Sequence, residues 1–171
     1  ARFVESGDGM ALKIDRQGFG KCAAQKAMLF GTGPFSVELW LKLDAFNSGT
    51  VIGKKFGQTD LDPGWALSYD GQKYELVLAL ADGEQMSQVR APLRDSGWHH
   101  VVAVRDGERV TLYIDGQVAV DRSGPTYALD ISSDRQFFHL GKLFHKYSAE
   151  AMLDDAVVYD GAVTAEHVAS Q

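Results

Sequence analysis

The chain has 171 residues, 45% of them hydrophobic and 23% charged, a balance that fits a folded globular domain and excludes disorder. Seventeen basic against twenty-three acidic residues leave a net charge of −6 with no basic cluster, so nucleic acid and anionic membrane surfaces are disfavoured partners. No apolar run is long enough to insert across a bilayer, and a single cysteine, Cys22, excludes an internal disulfide and every multi-cysteine metal motif.

The first residues, ARFVESGDGM, lack the basic-then-apolar layout of a signal peptide, and Ala1 stands where an initiator Met would be. The expectation is a mature form, or one domain cut from a longer protein. From Gly7-Asp8-Gly9 to Asp160-Gly161, turn signals recur at short intervals, and the runs between them are short and rich in β-branched and aromatic residues. That pattern predicts an all-β sandwich or barrel. In FSVELWLKL (35–43), Phe35, Val37, Leu39, Leu41 and Leu43 share one face and predict a core strand, while Ser36, Glu38, Trp40 and Lys42 share the other. The stretch 64–83 predicts a hairpin around Asp70-Gly71, and 99–116 predicts a second around Asp106-Gly107. In the second, Val110, Leu112 and Ile114 alternate with Thr111, Tyr113 and Asp115. A mixed sheet face carrying Trp40 and Tyr113 is a candidate binding surface. At the end of the chain TAEHVAS predicts a helical turn capped by Thr164. No linker, repeat or low-complexity segment divides residues 1–171, so one domain is expected.

In this order, FSVELWLKL, TVIGKKF, GWALSYDGQKYELVLALADG, GWHHVVAVRDGERVTLYIDGQVA, HLGK and MLDDAVVYDGAVTAEHVAS resemble the laminin-G-like domains of the concanavalin A-like lectin/glucanase superfamily. The resemblance covers nearly the whole chain. It implies a jelly-roll sandwich of two curved antiparallel sheets, used as an accessory domain of secreted or surface proteins. Members bind glycans, proteins or nothing known, so the fold by itself does not set the function. In the family pattern the position of Trp98 precedes a core strand, and those of His99 and His100 begin it, which implies a structural role for all three. Adjacent strand residues face opposite ways, so the two histidines cannot jointly chelate one metal.

Catalysis has little to stand on. The glucanase branch carries Glu-x-Asp-x-x-Glu, which is absent here, as are the strand motifs of the lyase branch and any Gly-x-Ser-x-Gly elbow. Glu38 reads as a solvated strand carboxylate without a partner. The resemblance does imply a structural calcium at the rim, held by carbonyls near the N-terminal turn, Gly7 and Asp8, and by the last-strand carboxylate Asp154. The alternative for Asp154 is a strand cap or an ion pair. A second acidic loop, Asp60-Leu61-Asp62-Pro63-Gly64, fits a surface calcium or plain turn chemistry equally. Sugar recognition needs aromatic planes and hydroxyl-bonding groups. The candidates are Trp65 beside Asp60 and Asp62, then Phe144, His145 and Tyr147 before the last strand, and Trp40 and Tyr113 on the mixed face. Trp40 also matches a common family packing position.

The expected function is a non-catalytic, lectin-like carbohydrate-binding module that works outside the cell and has a polysaccharide or other glycan as its partner. The rival is a structural or protein-interaction domain packed against neighbouring domains of the same chain. A divergent polysaccharide hydrolase or lyase is a remote third.

Overall fold

Alternating apolar residues give each strand one face to bury, and two sheets satisfy one another by packing those faces together. The computed structural model describes residues 1–7, 9–22, 28–55, 58–133, 137–143 and 147–171. One sheet has seven strands in the spatial order β1 (Arg2–Ser6), β2 (Gly9–Ile14), β13 (Ala151–Tyr159), β4 (Phe35–Leu43), β9 (Trp98–Asp106), β10 (Arg109–Ile114) and β11 (Gln117–Ser123). The other has six: β3 (Phe19–Cys22), β12 (Phe138–Gly141), β5 (Gly49–Lys55), β6 (Gly64–Asp70), β7 (Glu75–Ala81) and β8 (Met86–Pro92). The strand pairs within both sheets are antiparallel. The result is the expected all-β jelly-roll sandwich, closed by the short helix α1 (Ala165–Ala169), whose N-cap is Thr164.

The core follows the strand parity. Phe35, Val37, Leu39, Leu41 and Leu43 are all buried, and they meet Leu67, Tyr69, Leu76, Leu78 and Leu80 of the facing sheet in one cluster. Two-residue loops fix the registers of β9, β10 and β11. Asp106 pairs with Arg109, and Gly107 takes φ +59° between them. Ile114 pairs with Gln117, and both intervening residues, Asp115 at +52° and Gly116 at +76°, have the positive φ of a type I′ turn. The β6–β7 loop is longer than a tight turn: Asp70 pairs with Glu75, leaving four residues between.

Two expectations are corrected by burial. Trp65 is 1% exposed, with its ring centroid 5.5 Å from Phe35 and 6.3 Å from Phe138. It alternates with Ala66 and shares the inner face with Leu67 and Tyr69, so its ring fills the core and offers no plane to a sugar. Glu38 is 6% exposed, because the chain after β13 folds back over the mixed face of β4. There the Ser36 hydroxyl donates to the Gly161 carbonyl and accepts from the Val163 N–H, and Val168 of α1 packs on Val102 and Val104.

Candidate functional site

Because Trp65, Leu67 and Tyr69 point inward, Ala66, Ser68 and Asp70 point out of the six-stranded sheet. Register then lines up their neighbours. Ala66 lies opposite Ala79, Ser68 opposite Val77 and Asp70 opposite Glu75, and on the next strand Gln88 lies opposite Ala79 and Arg90 opposite Val77. The small side chains make the floor of a groove of 490 Å³. Polar groups flank it: Asp70, Gln88 and Arg90 along one side, Lys55 and Asp60 at one end, and Tyr147 beside the start of β5.

Arg90 organises that wall. Its Nη1 donates to Asp70 Oδ2 at 3.1 Å and to Glu75 Oε2 at 3.2 Å, and its Nη2 donates to Gln88 Oε1 at 3.0 Å. The guanidinium is thereby fixed on the sheet surface, with donors and acceptors side by side. Burial on its own would raise the Asp70 carboxyl, but the Arg90 bond and the backbone N–H groups of Gln72 and Lys73 hold it below its ordinary value. Asp70 is therefore ionised at neutral pH. At the far end the Lys55 ammonium, 5% exposed, donates to the Asp60 carbonyl. Tyr147 is 48% exposed, and the Arg16 guanidinium lies 4.4 Å from its ring centroid.

A second polar group lies on the opposite side of the sandwich, under α1. Glu38 Oε1 is 2.8 Å from His100 Nε2, and Oε2 is 2.8 Å from both His167 Nε2 and the Tyr159 hydroxyl, which donates to it. Burial would raise this carboxyl, yet the bonds from His167, Tyr159 and His100 outweigh it and hold it below its ordinary value. His99 bridges Asp95 and Asp115, each at 2.8 Å, and the same Asp115 accepts the His100 backbone N–H at 2.9 Å. For His99, burial would lower the imidazole, but the two carboxylates keep it above its ordinary value. The adjacent histidines thus serve two separate networks, as strand alternation requires.

The residues expected to bind sugar scatter. Asp60 and Tyr147 line the groove. Asp62 does not line it: its carboxylate accepts the backbone N–H groups of Gln58 at 2.6 Å and Thr59 at 3.0 Å and the Thr59 hydroxyl at 2.9 Å, so it is spent on the turn. Trp40 stands 5.3 Å from the His100 ring and borders a separate cavity of 260 Å³ under α1. Tyr113 packs against Val102, Val104 and Val168. Phe144, His145 and the calcium candidate Asp8 lie outside the described residues. Among the described residues no group of three His, Cys, Asp or Glu side chains could hold a metal ion. Asp154 Oδ1 accepts the Asp155 N–H at 2.9 Å, and Gly7 occupies the β1–β2 turn at φ +56°. The residues missed in the sequence were Ser68, Asp70, Gln88 and Arg90. Their signal was parity, since the alternation that puts Trp65, Leu67 and Tyr69 inside puts Ser68 and Asp70 outside.

The chain belongs to the concanavalin A-like lectin/glucanases superfamily, whose family model matches residues 16–169. Solved structures share the fold. The chain is similar to the binding domain of botulinum neurotoxin serotype G at 17% identity and a TM-score of 0.75, covering 99% of this chain and 43% of that one. It is similar also to the Ruminococcus gnavus IT-sialidase CBM40 bound to α2,3-sialyllactose, at 12% identity and a TM-score of 0.77, covering 94% of this chain and 95% of that one. A third is a Trypanosoma rangeli sialidase, at 16% identity and a TM-score of 0.66, where the match covers 99% of this chain but 28% of that one. The chain spans less than half the length of the toxin binding domain.

Proposed function

We propose that this chain is a non-catalytic carbohydrate-binding module of a secreted or cell-surface protein, and that it takes glycan in the groove over the six-stranded sheet. The observation that carries this reading is the wall of Asp70, Gln88 and Arg90 beside a floor of small side chains. Fixed donors and acceptors over a shallow floor suit the alternating hydroxyls and apolar faces of a sugar. The likeness to a carbohydrate-binding domain that matches along almost its full length supports the same reading.

The carboxylates speak for binding without catalysis. The common two-carboxylate glycosidases hold one carboxyl above its ordinary value to act as a general acid. Asp70 is held below it, as is the buried Glu38. The structural calcium expected at the rim is proposed with this reading, supported by the half-buried Asp154 carboxylate on the last strand.

The experiment is retention of the isolated chain on a panel of immobilised polysaccharides, alongside Arg90→Ala and Tyr147→Ala. Retention on a defined class is expected, with Arg90→Ala weakening it by about tenfold or more, the scale of one charged hydrogen-bonding group. Equal retention of Arg90→Ala would place the ligand elsewhere. No retention on any matrix would turn the reading to a protein-interaction domain.

A further inference from the structure

Resting on the groove as a glycan site, we propose that it selects neutral, hydroxyl-rich sugars and rejects sugars that carry a carboxylate or sulfate. The selecting feature is the charge that surrounds Arg90. An arginine recognises an acidic sugar by presenting two parallel N–H groups and its positive charge to the anion, and carboxylates held against the guanidinium oppose that attraction. Here three of the five Arg90 N–H donors are engaged, both of Nη1 to Asp70 and Glu75 and one of Nη2 to Gln88. Two carboxylates therefore stand within 3.2 Å of one guanidinium nitrogen, and the three groups together carry a charge of −1.

An incoming anion would meet that excess negative charge before it met the cation. Asp70 cannot escape by taking up a proton at neutral pH, because its hydrogen bonds favour the ionised form. The side chains of Asp70, Glu75 and Arg90 are 24%, 28% and 35% exposed, sheltered enough from solvent for the repulsion to be felt. Of the other charged residues that line the groove, Lys55 and Asp60 carry opposite charges, and the Arg16 guanidinium lies over the Tyr147 ring beside the start of β5. Hydroxyl groups suffer no such repulsion. Each is both donor and acceptor, and can give a proton to the Asp70 or Glu75 oxygens while accepting from Arg90 or the Gln88 amide.

The selectivity separates this groove from a simple basic sugar site, and it predicts what the two carboxylates are for. They hold Arg90 flat on the sheet and they exclude anions. Removing their charge while keeping their shape, in Asp70→Asn/Glu75→Gln, leaves Arg90 with an uncompensated charge.

The test is an array of neutral oligosaccharides and their sialylated, uronate-containing and sulfated counterparts, probed with the native chain, with Arg90→Ala and with Asp70→Asn/Glu75→Gln. Retention of neutral glycans, weakened by about tenfold or more in Arg90→Ala, with acidic counterparts bound about tenfold or more weakly by the native chain, is the expected result. The double variant should then improve on acidic glycans by about tenfold relative to the native chain, with an unchanged thermal midpoint showing that it folds. Native binding to acidic glycans as tight as to neutral ones overturns the selectivity while leaving the groove as a glycan site. Retention that Arg90→Ala does not diminish overturns it by moving the ligand elsewhere. Failure to retain any glycan removes the site itself, and the selectivity with it.

Discussion

Arg105 is fully buried, and its guanidinium donates to the backbone carbonyls of Gly31, Gly33 and Leu129 while lying 5.1 Å from the Phe35 ring. Burial pushes it down to about 10, so it stays protonated at neutral pH. It ties the loop before β4 to the segment after β11. In Arg105→Met the volume is kept but the carbonyls lose their donors, and a loss of about 2–4 kcal/mol in urea denaturation is expected. An unchanged midpoint would show that the loops hold without it. Trp65 makes the complementary case. Trp65→Ala would open a cavity between Phe35 and Phe138 and cost about 3–5 kcal/mol, read by the same denaturation, while the fraction that stays folded retains glycan as before. Loss of retention in well-folded Trp65→Ala would contradict its place in the core. The parity needed to put Trp65 inside was present in Trp65, Leu67 and Tyr69. It is obscured because a tryptophan beside an acidic loop has the residue type of a sugar platform, while only its position in the strand places it inside.

At the scale of elements, α1 is too short to be stable by itself, and its five residues gain their order from what they cover. Val168 supplies the apolar contact, and His167 supplies the polar one through Glu38. Glu38 is thus the point where β4, β9, β13 and α1 meet, through His100, Tyr159 and His167. Its carboxyl has a folded value below the ordinary 4.5. The sign follows: the unfolded chain binds the proton more readily, so the stabilisation is present above about pH 4.5 and is lost as pH falls through the lower folded value. Glu38→Gln removes that titration. The native chain should exceed Glu38→Gln in thermal midpoint at pH 7, and the gap should close steadily below pH 4.5. A gap constant across pH 3–7 would show that the charge is irrelevant to the contact. The helical turn capped by Thr164 was legible in the sequence, but the Glu38 network was not, because Glu38, His100, Tyr159 and His167 are far apart in the chain. The strands and hairpins were legible, because period 2 and the Asp-Gly turns are local signals. The covering of the mixed face was not, since it depends on where the chain goes after Asp160.

For the whole molecule, the sandwich was readable because the central strands, such as β4, β6, β7, β9 and β10, each announce a buried face, but the groove was not, because it exists only when β6, β7 and β8 are in register. The remaining long-range expectation is calcium at the end of the seven-stranded sheet. The chain carries a net charge of −6, which favours cation uptake in general and so makes specificity the issue. At the proposed place β2 and β13 pair as far as Leu12 with Leu153, after which β13 bulges between Asp154 and Val157, with Asp155 at φ +45°. A bulge re-aims side chains out of the ladder, and Asp154, the carboxylate that the resemblance assigns to the ion, lies at the edge of this one. An ion bound only by the folded chain stabilises it by about 2.7 kcal/mol at a hundred times Kd, which for a domain of this size is about 5–10 °C in Tm. Melting the metal-stripped chain with increasing Ca²⁺ should produce that rise, and Asp154→Ala should suppress it, whereas Mg²⁺, which prefers a tighter octahedron of waters, should give a smaller shift. A rise of equal size in Asp154→Ala would mark general screening of the acidic surface, and no rise in the native chain would leave the sandwich stabilised by its core and polar networks without the ion.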